Sequence, residues 1–132
     1  MSLGGLTTSE VRSAVELWRA KPDDFITDIL GSPLWAMQRV IACDALAHRE
    51  TSVASCHGAG KDYIAGRVAL AFLILYAPNC WVITTAPTER QIRDILWREI
   101  AVARRDARVP IGGTLTTKRL EIAEELVALG FK

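Results

Sequence analysis

Thr51-Ser52-Val53-Ala54-Ser55-Cys56-His57-Gly58-Ala59-Gly60-Lys61-Asp62 is the stretch on which the fold assignment turns. Residues 51–55 are short, partly β-branched and run straight into a turn of small residues, which predicts a strand followed by a glycine turn. Residues 63–76 are apolar on nearly every face, as in a helix buried between a sheet and other layers. Asn79 interrupts them, and Trp81-Val82-Ile83-Thr84-Thr85-Ala86 has the continuous apolar and β-branched character of a buried strand. Together these give a strand-turn-helix-strand unit over residues 51–86, about the length of a right-handed parallel crossover. The fold class that follows is α/β: a parallel-sheet core with flanking helices over residues 51–132, preceded by a helical lead over residues 1–50.

In the lead, Thr8 or Ser9 can cap a helix, Glu10 adds first-turn negative charge, and Val11, Val15, Leu17 and Trp18 recur at helical spacing until Lys21-Pro22. After a short segment at 25–30, Ser32-Pro33 is a second start signal, with Ser32 as N-cap, Pro33 at the first helical position and Leu34, Met37, Val40, Ile41 and Leu46 as the apolar stripe. Downstream, Ala86-Pro87-Thr88 opens another helix. It carries Ile92, Ile95, Leu96, Ile100 and Ala103 on one face and ends before Pro110. Residues 115–129 fit either a helix closed by Gly130 or two strands, 119–122 and 126–129, and periodicity does not decide between them.

Composition describes an ordinary globular domain: 132 residues, 50% hydrophobic and 23% charged, with 16 Lys+Arg against 15 Asp+Glu and a net charge of +1. A single core of this size needs no disulfide or structural metal. The near-neutral balance leaves any nucleic-acid contact to a local patch. Cys43, Cys56 and Cys80 are odd in number, lack CxxC spacing and read as reduced thiols. The first eight residues lack the basic and apolar regions of a signal peptide, and the longest apolar run, 68–78, is about half a membrane span. An intracellular, soluble chain is expected.

The chemistry centres on the turn. The phosphate-loop pattern G-x-x-x-x-G-K-[ST], after a strand and before a helix, aligns with Ser55-Cys56-His57-Gly58-Ala59-Gly60-Lys61-Asp62. Gly60, Lys61 and an internal Gly58 match, while Ser55 replaces the first glycine and Asp62 the hydroxyl residue. Gly58, Ala59 and Gly60 let successive backbone N–H groups approach phosphate oxygens. The helix N-terminus and the Lys61 ammonium add positive charge, so an anion site is expected. Asp62 stands where a Mg²⁺-binding hydroxyl is usual; its carboxylate either serves as a hard oxygen ligand or repels the triphosphate. The plainer alternative is a glycine turn with Asp62 as a helix-terminus charge. A metal site on His57 and Cys56 is disfavoured, because no second pair stands at ligand spacing.

Several segments in order resemble the large subunit of tailed-phage terminases, the ATP-driven motors that package DNA into capsids. Ser32-Pro33-Leu34-Trp35-Ala36-Met37-Gln38 resembles the family's adenine-recognising element, with Gln38 as the base-reading residue. Ala54 to Lys61 resembles its variant phosphate loop, which commonly lacks the first glycine. Val82-Ile83-Thr84-Thr85-Ala86-Pro87-Thr88, with Gln91 and the stretch 94–100, is similar to the next strand and helix, whose T-A-P-T turn faces nucleic acid or couples to it; Thr85, Thr88 and Gln91 take that role by resemblance. Leu126-Val127-Ala128-Leu129-Gly130-Phe131 looks like the strand before the family's hydrolytic motif and favours two strands at the C-terminus.

The resemblance covers roughly residues 18–131. It implies a partial P-loop NTPase that binds ATP with Mg through residues 55–62 and Gln38, with Asp62 on the metal. It implies double-stranded DNA, a terminase small subunit and a portal protein as partners, and the cytoplasm of a bacterial host as location. No hydrophobic strand ending in the Mg-holding Asp and the water-activating Glu follows residue 88, and the nuclease carboxylate cluster is absent. The chain therefore reads as the front part of such a subunit, binding ATP without hydrolysing it, since only the positioning half of phosphoryl transfer is present. The alternatives are a non-catalytic remnant or interaction module, and a fragment of a helicase-like ATPase. Arg90, Arg93, Arg98, Arg104 and Arg105 alternate with Glu89, Asp94, Glu99 and Asp106, which favours a salt-bridged solvated face over a DNA-binding stripe. Apolar edges left by absent strands would promote self-association.

Overall fold

The computed structural model describes residues 5–56, 60–116 and 119–121. Helix α1 spans Thr8–Ala20 and is capped one residue earlier than expected. The Glu10 amide donates to Thr7 Oγ1 at 3.2 Å, and the Thr7 amide donates to Glu10 Oε2 at 2.8 Å. This reciprocal pair satisfies two of the N–H groups that any helix start leaves open. Val11 and Val15 face the core, and the Trp18 ring meets Phe25 edge-on, with 5.3 Å between centroids.

Pro22 ends α1 and, at the first position of helix α2 (Pro22–Asp28), starts the next helix, because its fixed φ suits a first turn whose N–H has no partner anyway. Phe25, Ile26, Ile29 and Leu30 are fully buried and form the centre of the core. Helix α3 (Ala36–Ala47) begins after Trp35 rather than at Pro33. Ser32 is a buried acceptor for Arg67 and does not cap α3.

Helix α4 (Lys61–Tyr76) follows the sequence expectation closely. It buries Ile64, Leu70, Ala71, Ile74 and Leu75 and packs against α2, α3 and the later helix α6 (Trp97–Asp106). At its C-terminal end the Arg19 guanidinium donates to the Leu75 carbonyl at 2.9 and 2.7 Å, meeting an acceptor that the helix leaves open. The segment after Thr88 starts as a single α-turn, α5 (Glu89–Gln91), passes through a π-helical stretch (Ile92–Leu96) and continues as α6 (Trp97–Asp106). Thr88 caps it by accepting from the Gln91 amide at 3.3 Å. Apolar spacing alone carries no sign of the π-helical insertion.

The expected parallel-sheet P-loop core is not what the described residues form. Residues 51–55 and 81–86, the two strands of the expected crossover, belong to no regular element. Among the described residues the β structure is one antiparallel pair, β1 (Thr114–Leu115) with β2 (Leu120–Glu121), matching Thr114 to Glu121 and Leu115 to Leu120. The architecture is predominantly helical. A strand is buried only when neighbours supply ladder bonds and cover its faces. Here residues 51–56 are exposed throughout, Trp81 is 88% exposed and Ile83 is 78% exposed. Of the two C-terminal strands expected, 119–122 overlaps β2, which pairs with β1; the stretch 126–129 lies outside the described residues. Among the described residues no helix is long and apolar enough to cross a membrane.

Candidate functional site

Gln38 occupies the first turn of α3, and its side chain, 6% exposed, bridges two segments far apart in sequence. Its Oε1 accepts from the Trp35 amide at 3.3 Å, and its Nε2 donates to the Gly60 carbonyl at 3.3 Å, across 22 residues. Gly60 is the N-cap of α4 at φ +78°, a left-handed conformation that costs a side-chain-bearing residue roughly 1–2 kcal/mol. A Cβ there would also lie 2.7 Å from Gln38 Nε2, so the contact depends on glycine for space as well as for backbone angle.

With glycine as N-cap, α4 has no side-chain cap, and the N–H groups of its first turn keep the partial positive charge of a helix start. Lys61 stands half-buried at that end and Asp62 is exposed beside it. The ion pairs among the described residues do not include Lys61. Gly60, Lys61 and Asp62 are thus brought together with Gln38. Ser55 and Cys56 are exposed on the approach to the turn, while His57, Gly58 and Ala59 lie outside the described residues. Among the described residues no cluster of three His, Cys, Asp or Glu could hold a metal without other ligands, so Mg²⁺ at Asp62 would require phosphate oxygens and water to complete its shell.

Behind Gln38 lies a network that the sequence reading did not identify. Arg67 is only 4% exposed; its Nε donates to Ser32 Oγ at 3.1 Å, and its Nη1 donates to the Tyr63 carbonyl at 3.2 Å and to Glu99 Oε2 on α6. The guanidinium also sits 3.6 Å from the centre of the Tyr63 ring, and the Tyr63 hydroxyl donates to the Pro33 carbonyl at 3.1 Å. The signal for this network was Arg67 itself, the one charge in the apolar run 63–76, because a buried guanidinium requires partners for its donors.

A second polar cluster ties α2 to α3. Asp23 accepts from Cys43 Sγ at 3.2 Å and from Arg39 Nη1 at 3.0 Å. Burial pushes the Asp23 carboxyl up, but the Cys43 and Arg39 hydrogen bonds outweigh it and hold the group below the usual carboxylate range. Burial, followed by the adjacent Asp23 carboxylate, raises the Cys43 thiol, which makes this sulfur less readily ionised than an ordinary thiol. The cluster fastens α2 to α3.

Thr85, Thr88 and Gln91 are all exposed, and Thr88 is engaged as a helix cap. The arginines beyond them are largely matched by acids: Arg93 with Asp94 at 2.8 Å, Arg90 with Asp94 at 3.6 Å and Arg105 with Asp106 at 2.8 Å. Arg90, Arg93 and Arg105 thus pair as the charge alternation suggests, whereas Glu99 of the same expected face turns to the buried Arg67 and Arg104 donates to the Gly113 carbonyl at 3.2 Å. An apolar hollow of about 430 Å³ lies elsewhere, lined by Leu70, Leu73, Trp81, Trp97, Ile100 and Leu120, and includes none of the residues around Gly60. No protein-family model, curated protein or solved structure matches this chain.

Proposed function

We propose that the chain is a nucleotide-binding segment of a viral DNA-packaging motor, in which Gln38 reads adenine and Lys61 with the first turn of α4 receives the phosphates of ATP. The observation that carries this reading is the Gln38–Gly60 hydrogen bond, which joins the two resembling motifs in space. A glutamine side chain has two N–H donors and two acceptor lone pairs. One of each is engaged with Gly60 and Trp35, and the remaining donor and acceptor suit the N7 acceptor and N6 donor of adenine. Asp62 would be the side chain that holds Mg²⁺, whose charge would offset the repulsion between this carboxylate and the phosphates. Hydrolysis by these residues alone is not expected, because the sequence after residue 88 has no hydrophobic strand pattern ending in an Asp to hold metal and a Glu to activate water. Double-stranded DNA, a small terminase subunit and a portal protein in the cytoplasm of a bacterial host are the partners and setting that the resemblance supplies.

Calorimetric titration with Mg-ATP, Mg-GTP and Mg-tripolyphosphate tests the reading. Wild-type protein should bind all three and prefer ATP, Lys61→Ala should lose all three, and Gln38→Ala should lose the preference for ATP over GTP. Failure of the wild type to bind Mg-ATP, or unchanged affinity in Lys61→Ala, refutes it. The second reading, a non-catalytic interaction module, is favoured by the exposed Trp81 and Ile83, and the same null titration together with a defined oligomer would support it.

A further inference from the structure

We infer that Tyr63 and Arg67 are positioning residues that hold Gln38 in its base-reading position, and that Arg67 links this position to helix α6 through Glu99. This inference rests on the nucleotide-binding reading above. Gln38 lies on a segment fixed from two sides. At residues 32 and 33, α4 grips the chain through Arg67 Nε to Ser32 Oγ at 3.1 Å and through the Tyr63 hydroxyl to the Pro33 carbonyl at 3.1 Å. At Trp35 and Gly60, the Gln38 amide closes the loop back onto the start of the same helix. Residues 32–38 are thus clamped to the first two turns of α4 at both ends. The position of the amide is set by α4 as well as by α3, on which it resides.

The clamp is stiff because its centre is dry. A guanidinium that is 4% exposed cannot take its hydrogen bonds from bulk water, so its forked donors stay on Ser32, Tyr63 and Glu99. The Tyr63 ring beneath it contributes a cation–π contact that fixes the plane of the guanidinium. Tyr63 serves both ends of the arrangement, with its ring under Arg67 and its hydroxyl on Pro33. Glu99 is the acid that Arg67 reaches on α6, so a shift of α6 would be felt at Ser32 through one side chain.

The test compares Tyr63→Phe, which removes only the hydroxyl, with Arg67→Lys, which keeps a cation near Glu99 but loses the fork to Ser32. Each is titrated with Mg-ATP, Mg-GTP and Mg-tripolyphosphate, and the cross-relaxation between the Gln38 side-chain amide protons and Gly60 is measured by NMR. Both variants should lose most of the ATP preference, about fivefold or more given what a two-bond base contact contributes to discrimination, while tripolyphosphate affinity stays unchanged. The Gln38–Gly60 cross-peak should weaken in both. Equal losses for ATP and tripolyphosphate would mean a general structural role and overturn the inference, as would an unchanged ATP-to-GTP ratio in both variants. Should the wild type bind no nucleotide, the functional reading fails by itself. The NMR arm then still decides the positioning claim, and a cross-peak that persists in both variants overturns it.

Discussion

Replacing Gly66 by alanine should destabilise the protein, although the substitution improves an α-helix. Gly66 lies in the second turn of α4, where helix propensity favours alanine over glycine by roughly 0.8–1.0 kcal/mol. Against that, a Cβ at this position would lie 2.9 Å from Glu99 Cβ and 3.3 Å from both the Glu99 carbonyl carbon and the Ile100 amide nitrogen. None of these is the free end of a flexible side chain. Relief therefore requires α4 and α6 to separate by about half an ångström across a packed interface, and overpacking of this kind costs about 1–3 kcal/mol. Subtracting the propensity gain leaves a net loss of about 1 kcal/mol, or a fall of about 3–5 °C in the thermal midpoint for a chain of this size. Thermal unfolding by circular dichroism measures it, with Ala65→Gly on the exposed side of the same helix as a control for propensity alone. A Gly66→Ala protein more stable than the wild type by about 1 kcal/mol, the propensity value, would show that α4 and α6 do not approach as described.

Asp23→Asn should lower stability by about 1–3 kcal/mol at neutral pH, because Arg39 and Cys43 lose a charged acceptor. The Asp23 carboxyl is held below its usual range in the folded state, so its contribution is present above that range and disappears as pH falls through the depressed value. Urea denaturation should therefore show the difference between the two proteins near pH 7 and lose it progressively as pH falls below the usual carboxylate range; a difference that stays constant with pH would argue against the linkage. In mildly alkaline thiol labelling, the exposed Cys56 should react first, whereas Cys43 and Cys80, both raised by burial, should lag by about tenfold or more. Equal rates, read by mass spectrometry, would contradict the described burial. Trp81→Ser combined with Ile83→Ser should reduce dye binding and any self-association measured by sedimentation, since both side chains present apolar surface to solvent. No change in either readout would show that these residues do not drive association.

Helices were legible wherever a local signal was sufficient. Pro22 marked a boundary, Thr88 a cap, and the apolar residues of 63–76 a buried helix, because propensity, capping and periodicity act within a few residues. Ser32-Pro33 has the pattern of a helix start, yet α3 begins at Ala36, because Arg67 from α4 engages the Ser32 hydroxyl. The pairing of Gln38 with the glycine turn was suggested by resemblance alone; the fold brings Nε2 and the Gly60 carbonyl together at 3.3 Å.

The amino-acid sequence by itself determined where α1, α4 and the helical stretch after Thr88 lie, and the chemical character of residues 55–62, because both depend on neighbouring residues. Tertiary structure decided the fate of residues 51–56 and 81–86. A β-branched or apolar stretch becomes a buried strand only when distant segments supply its hydrogen bonds and cover, and among the described residues none does. It also decided what Arg67 does, because a charge within an apolar helix shows that it requires partners but not which ones. Those partners, Ser32 and Glu99, stand 35 and 32 residues away and meet it only when α4 packs between the segment before α3 and α6.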